Sequence, residues 1–191
     1  MQILSKGIQS SDIRTLRGTL NLAQDERHIH IDDTVGPKSS AELSECTRNG
    51  LKKSKRKITM LIVHCSATPE GRDVKTETIR DWHVTGNHWK DIGYHYVIEL
   101  DGSIHKGRDE SVVGAHCSGQ NAHSIGICYV GGVAKDGKTP KDTRTEAQKQ
   151  SLLKLLKELK VKYPNATIHG HREFAAKACP SFDAKYEYKD L

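Results

Sequence analysis

Short apolar runs alternate with helical patterns from residue 58 onward, and this alternation limits the chain to one class of fold. Five segments have the length and character of strands: residues 58–64, 94–100, 103–106, 124–130 and 166–169. Four leucines recur at helical spacing ahead of Pro164: Leu152, Leu155, Leu156 and Leu159. A second helical pattern covers residues 76–84. We therefore predict an α/β fold, in which a mixed, mainly parallel β-sheet is flanked by helices.

The start of the leucine-bearing helix is marked by overlapping capping boxes. Thr143 pairs with Glu146, and Thr145 pairs with Gln148. In a capping box each of the two side chains satisfies a backbone N–H group that the first helical turn leaves unpaired. The helix is therefore expected to begin near residue 145.

The first 57 residues differ from the rest of the chain. Short helical patterns in residues 1–50 are followed by a polar, basic segment at 51–57. We interpret residues 1–57 as a small helical N-terminal extension with a basic linker, and residues 58–191 as the main domain. The beginning of the chain lacks the apolar stretch of a secretory signal, so we expect cytoplasmic synthesis without a signal peptide.

The net charge of +6 raises the question of a nucleic-acid partner. Residues 1–57 contain 11 Lys and Arg against 7 Asp and Glu, whereas residues 58–191 contain 19 against 17. The main domain is therefore close to neutral, and it carries no recognisable DNA- or RNA-binding motif. We expect no nucleic-acid partner. No run of about 18 apolar residues occurs, so we also expect no membrane insertion.

Three of the potential metal ligands stand out by their position. The chain has 11 histidines and 5 cysteines, and an odd cysteine count without a secretion signal argues against a disulfide framework. His64 closes the first apolar run, His171 follows the last strand through Gly170, and Cys179 lies eight residues further on. Functional sites are often built at strand ends of α/β sheets. Two imidazoles and one thiolate would leave a tetrahedral zinc one open position, although this spacing alone is a weak signal.

A series of motifs between residues 62 and 183 carries a family resemblance. The motifs are Ile62-Val63-His64-Cys65-Ser66-Ala67-Thr68, Gly93-Tyr94-His95-Tyr96-Val97-Ile98, Asp101-Gly102, Gly107-Arg108-Asp109-Glu110, Gly114-Ala115-His116, Ser124-Ile125-Gly126-Ile127-Cys128, Gly170-His171-Arg172-Glu173 and Lys177-Ala178-Cys179-Pro180-Ser181-Phe182-Asp183. From about residue 58 to residue 183 the chain resembles the bacteriophage T7 lysozyme family. These proteins are N-acetylmuramoyl-L-alanine amidases related to the peptidoglycan recognition proteins.

The resemblance implies an activity and a set of site residues. The activity is zinc-dependent hydrolysis of the amide bond between N-acetylmuramic acid and the L-alanine of the stem peptide in peptidoglycan. One Zn²⁺ per chain is expected on His64, His171 and Cys179, and Tyr94 and Lys177 are expected to support catalysis. An ammonium and a phenol at these positions would stabilise the charge that develops on the carbonyl oxygen.

Further expectations concern the surroundings of the site. In the wider family a loop that corresponds to the one with His116 and Asn121 lines the peptide groove, so both residues are expected to contact substrate. Many relatives have a glutamate general base where Cys128 stands, which leaves proton handling to Tyr94 or to the metal. Cys65 follows a ligand on a strand, so its side chain is expected to face the opposite side of the sheet.

Several alternatives stay open. The chain could be a peptidoglycan-binding recognition module without activity, a nucleic-acid-binding protein, or a hydrolase with Cys179 or Cys65 as its nucleophile. Residues 1–57 could be a degenerate peptidoglycan-binding module or a leader without a defined fold. We expect a monomer whose partner is peptidoglycan and which acts on the bacterial cell wall after release from the cell.

Overall fold

The computed structural model describes residues 55–191; the helical patterns in residues 1–50 and the possible binding module there lie outside the described residues. The main helices and strands are, in chain order, β1 Met60–Cys65, β2 Thr68–Pro69, α1 Thr76–Asp81, β3 Tyr96–Ile98, β4 Ile104–Lys106, β5 Ser124–Tyr129, β6 Gly132–Val133, α2 Glu146–Lys162, β7 Thr167–Gly170 and α3 Ala184–Glu187. α1 continues into a wider π-helical turn at Trp82–Gly86. In the described part of the chain, no helix has the length and apolar character needed to cross a membrane.

Five strands form the main sheet in the order β4-β3-β5-β1-β7. β3, β5, β1 and β7 run parallel, and β4 pairs antiparallel with β3. β2 and β6 form a separate, short parallel pair. The predicted mixed, mainly parallel sheet is therefore confirmed. β3 is shorter than the predicted 94–100, and it ends before the tight turn in which the Gly102 N–H donates to the Glu99 carbonyl.

The alternation of side chains along β1 separates the core from the site. Leu61, Val63 and Cys65 belong to the hydrophobic core that the leucines of α2 also form. Successive side chains of a strand point to opposite faces, so His64 points away from α2. The expectation that Cys65 packs in the core on the other face from His64 is confirmed. The site therefore lies on the face of the sheet that α2 leaves uncovered.

The start of α2 confirms one of the predicted capping boxes. The Thr145 hydroxyl accepts a bond from the Gln148 backbone N–H at 3.1 Å, and the Gln148 side chain accepts one from the Thr145 backbone N–H at 3.0 Å. The amide nitrogen of Gln148 also donates to the carbonyls of Ile98 and Val130. Since Gln148 is fully buried, one residue both caps the helix and fastens it to the sheet.

Arg56 ties the end of the basic linker to the main domain. Its guanidinium donates to the backbone carbonyls of Glu110, Asn121 and Ser124 at 2.8–3.2 Å. Bonds to three separate carbonyls hold this residue against the turn at Glu110 and against the start of β5. Arg56 is thus part of the folded domain, whereas a boundary at residue 57 stays a prediction.

Candidate metal centre

The register of two parallel strands brings two histidines together. Val63 of β1 lies opposite Gly170 of β7, so the next residue on each strand, His64 and His171, emerges at the same edge of the sheet. Their ring centroids are 4.5 Å apart. His64 is fully buried and His171 is partly exposed, so the pair reaches from the interior to the surface.

Cys179 completes a group of three metal-ligating side chains. Its Sγ lies 3.8 Å from Nδ1 of His64, and the ligand atoms of His64, His171 and Cys179 all lie within 4.8 Å of one another. A tetrahedral zinc with ordinary bond lengths requires an N···S separation of about 3.6 Å. The donor set and its spacing therefore fit a single zinc ion.

The two histidines are held in the form that binds a metal. Burial lowers the pKa of His64 well below its ordinary value, and His116, His171 and Lys177 act in the same direction. Burial, followed by the charge of Lys177, also lowers the pKa of His171. Metals bind the neutral imidazole, so neither ring has to lose a proton at neutral pH.

Cys179 is the ligand that depends most on a bound cation. A hydrogen bond with the Cys65 side chain, together with burial, raises the pKa of the Cys179 thiol. The backbone N–H of Cys65 donates to the same sulfur at 3.3 Å, which favours the thiolate. A cation at this place would complete the ionisation, because a coordinated thiol is deprotonated.

Tyr94 forms one wall of the centre. Its ring centroid lies 5.2 Å from that of His64, and burial raises the pKa of Tyr94 well above its ordinary value. The phenol therefore keeps its proton at neutral pH. The neighbouring Cys128 side chain also raises the pKa of Tyr94, and burial raises the pKa of the Cys128 thiol itself. A neutral, buried thiol thus stands at the position where the family resemblance raised the question of a general base.

Lys177 lies beside the two histidines on the exposed side of the centre. Its side chain is exposed, and its positive charge contributes to lowering the pKa of both His64 and His171. The interaction between two charges weakens as their separation grows. The ammonium group is therefore within electrostatic reach of a substrate bound at the three ligands.

His116 and Asn121, the two residues expected to contact substrate, make internal bonds. Nδ1 of His116 lies 3.0 Å from Nε2 of His64, and burial lowers the pKa of His116 to about 3. Oδ1 of Asn121 accepts bonds from the backbone N–H groups of His116 and Cys117, each at 2.9 Å. His116 is only 8% exposed, so the contacts given above lie in the interior of the protein. A substrate contact by His116 or by Asn121 stays a prediction.

Two residues near the centre had no predicted role. Nδ1 of His83 accepts a bond from the Gly93 backbone N–H at 3.1 Å, and its ring centroid lies 5.4 Å from that of Tyr94. Oγ of Ser124, at the start of β5, lies 3.3 Å from Nε2 of His116. No spacing in the sequence identifies either residue, because both contacts depend on how irregular loop segments fold.

Comparisons with known proteins find relatives over most of the described residues. The chain is 46% identical to the endolysin of Escherichia phage T7 over 133 residues, which are 70% of this chain and 87% of that protein. It is 45% identical to the endolysin of Klebsiella phage KP32 over 131 residues, which are 69% of this chain and 85% of that protein. The solved structure of LysCS, an endolysin and N-acetylmuramoyl-L-alanine amidase from Clostridium intestinale, matches with a TM-score of 0.58 and 28% identity, over 69% of this chain and 80% of that one.

A family match covers most of the described residues. The Amidase_2 family, described as N-acetylmuramoyl-L-alanine amidase, matches residues 54–182. This region includes all three candidate ligands as well as Tyr94 and Lys177. The chain therefore belongs to the N-acetylmuramoyl-L-alanine amidase family of enzymes, as the resemblance of its motifs predicted.

Proposed function

We propose that this chain cleaves peptidoglycan at the amide bond between N-acetylmuramic acid and L-alanine, and that one zinc ion held by His64, His171 and Cys179 is required. The observation that carries the proposal is the convergence of these three ligand atoms, within 4.8 Å of one another, in a chain of this family. Two imidazoles and a thiolate leave a fourth position open, which is typical of catalytic rather than structural zinc sites.

Zinc, when bound, would polarise the scissile carbonyl and acidify a water molecule. The side chains around it stabilise the charge that develops. The Tyr94 hydroxyl, which stays protonated, donates a hydrogen bond to the oxygen that becomes negative. The Lys177 ammonium adds a positive charge on the exposed side of the same position.

The leaving nitrogen of L-alanine must gain a proton when the bond breaks, and the attacking water must lose one. Cys128 is unsuited to carry this proton, because its side chain is fully buried, whereas Tyr94 is partly exposed. We assign the transfer to Tyr94, which passes its proton to the leaving nitrogen and recovers one from the water. The products are then a free lactyl carboxylate on the sugar and a free L-alanine amino terminus.

Further parts of the proposal concern the setting of the reaction. The endolysin relatives support the bacterial cell wall as the place of action, reached after release from the cytoplasm. A monomeric state, substrate contacts by His116 and Asn121, and peptidoglycan binding by residues 1–57 stay predictions.

The test compares the wild-type chain with Cys179→Ala, and Cys46→Ala serves as the matched control because Cys46 lies outside the family match. Zinc content and new L-alanine amino termini released from purified peptidoglycan are measured for each protein. We expect one zinc per chain and new termini for the wild type and the control, and the loss of both in Cys179→Ala.

Two other outcomes would contradict the proposal. Tight binding to peptidoglycan without new termini would make the chain a recognition module. Activity that survives a strong chelator but is abolished by a thiol reagent would indicate a cysteine nucleophile.

A further inference from the structure

We propose that His116 is a positioning residue, which holds the His64 ring with Nδ1 toward the metal through a chain of hydrogen bonds that ends at the backbone of Gln120. The inference rests on the proposed role of His64 as a zinc ligand. It gives His116 a function in the interior of the protein, whereas the sequence suggested one at the substrate groove.

The contacts form a continuous path away from the metal ligands. Nε2 of His64 lies 3.0 Å from Nδ1 of His116. Nε2 of His116 lies 3.3 Å from Oγ of Ser124, and that hydroxyl donates to the backbone carbonyl of Gln120 at 2.8 Å. All three side chains are buried, so water does not compete for these bonds.

Counting the protons fixes the direction of every bond. Ser124 has one hydroxyl proton, which it gives to the Gln120 carbonyl, so its oxygen can only accept from His116. His116 therefore carries its proton on Nε2, and its Nδ1 is free to accept. That nitrogen takes the bond from Nε2–H of His64, which leaves Nδ1 of His64 as the unprotonated nitrogen. This is the nitrogen that lies 3.8 Å from the Cys179 sulfur.

The His116 ring packs directly against two glycines, Gly126 and Gly114, where a side chain would not fit. A Cβ atom at Gly126 would lie 2.5 Å from Cδ2 and Cγ of His116, and one at Gly114 would lie 2.6 Å from Cδ2. Real Cβ atoms do not approach so closely, so any larger residue at these positions would displace the ring. Asn121 fixes the same segment from the other side by accepting the His116 backbone N–H.

Orienting a ligand in this way affects the strength of metal binding. Without an acceptor at Nε2, the His64 ring can rotate or carry its proton on the nitrogen that the metal needs. Loss of a hydrogen-bond partner behind a metal-binding histidine typically lowers metal affinity about 10- to 100-fold. The chain from His64 to Gln120 should therefore show its effect in zinc affinity, independently of any substrate.

The experiment uses full-length protein and a series of substitutions at one position. In His116→Asn the amide oxygen can take the place of Nδ1 and still accept from His64. In His116→Gln the amide reaches the place of Nε2 instead, and His116→Ala removes both groups. Zinc affinity is measured by competition with a chelating dye at neutral pH, and circular dichroism with a melting curve shows that each variant is folded.

We expect zinc affinity to fall about 10- to 100-fold in His116→Ala and His116→Gln, and by less than about 3-fold in His116→Asn. Ser124→Ala keeps the His116 ring but no longer fixes which of its nitrogens carries the proton, so we expect an intermediate loss of zinc affinity. In the zinc-free wild-type protein, NMR of ¹⁵N-labelled histidine should show a coupling across the His64–His116 hydrogen bond, with the proton on His64 Nε2.

The outcomes separate this inference from the proposed function. Wild-type zinc affinity in the folded Ala and Gln variants would overturn the positioning role and leave the zinc proposal intact. Asn and Gln variants with equally reduced affinity would also overturn it, because the acceptor position would then not matter. A wild-type chain that binds no zinc would overturn both proposals.

Discussion

His64 and His171 lie with their ring centroids 4.5 Å apart, one residue beyond the point where β1 and β7 face each other in register. Two of the three proposed ligands are therefore placed by the sheet itself, and Cys179 is brought to them by the loop that follows. Sites built on regular elements are held more firmly than sites built on loops alone. Because the sheet holds the two histidines in place, each side chain around the three proposed ligands can be substituted and tested separately.

Tyr94→Phe should lower kcat without removing the metal. The substitution deletes the hydroxyl to which we assign the proton transfer, and proton-transfer groups typically contribute about 10²- to 10⁴-fold. Release of L-alanine termini under saturating substrate measures the effect, alongside zinc content. Tyr186→Phe is the matched control, since Tyr186 is 70% exposed. A Tyr94→Phe enzyme with wild-type kcat would exclude Tyr94 from the chemistry.

Lys177→Met should also reduce turnover, by about 10- to 10²-fold. This is less than the ~10²–10³ typical of a buried oxyanion donor, because Lys177 is exposed and solvent screens its charge. Lys177→Arg keeps the charge and should recover part of the rate. Lys154→Met, on the exposed face of α2, controls for a general loss of charge. The assignment fails if Lys177→Met and Lys154→Met behave alike in kcat.

The sequence was sufficient for the elements of the fold and for the group of three side chains that could hold a metal ion, and insufficient for what surrounds that group. α2 could be predicted because Leu152 and its partners repeat at helical spacing, and a local pattern reports a local structure. His64 and Cys179 could be named through their motifs. The contact of His116 with His64 could not, because it joins segments 52 residues apart and depends on which strand pairs with which and in what register.

Glu110 should make stability depend on pH in the acid range. Burial favours a higher pKa for Glu110, but hydrogen bonds from Tyr163, Tyr96 and Lys162 outweigh it and lower the pKa. A carboxylate with a lowered folded-state pKa stabilises the protein fully above its unfolded pKa of about 4.3, and this stability is lost as pH falls through the folded value. Stability to urea should therefore decline below about pH 4.3.

Glu110→Gln tests that contribution. We expect it to cost about 1.5–3 kcal/mol at pH 7, the range for hydrogen bonds to a charged group, and to flatten the decline at acid pH. Urea unfolding at a series of pH values measures both effects. Glu158→Gln, at an exposed position of α2, is the matched control. An unchanged acid decline in Glu110→Gln would assign that decline to other carboxylates.

Arg144 should be important for attaching α3 to the rest of the domain. Its guanidinium bonds both oxygens of Glu187 at 2.8–2.9 Å and lies 3.3 Å from the centroid of the Phe182 ring. Removing one partner of a buried ion pair costs about 3–5 kcal/mol of stability. For Arg144→Met we expect a smaller loss of about 2–3 kcal/mol, because the Glu187 side chain is 41% exposed and stays hydrated. Arg144→Lys should recover less than half, since an ammonium lacks the planar fork. Thermal or urea unfolding measures the stability of both variants. Wild-type stability in Arg144→Lys would show that the charge alone matters.

Gly126→Ala should weaken zinc binding although it changes none of the three proposed ligands. Its added methyl would meet the His116 ring at 2.5 Å, and overpacking of a tight interior typically costs about 1–3 kcal/mol. Part of that cost is relieved if the ring moves, and the moved ring can no longer accept the bond from His64. We therefore expect a folded but less stable protein with reduced zinc affinity. Gly86→Ala is the matched control, because a Cβ there meets nothing within 4 Å. If Gly126→Ala lost stability but bound zinc as tightly as Gly86→Ala, the position of the His116 ring would be a matter of packing alone.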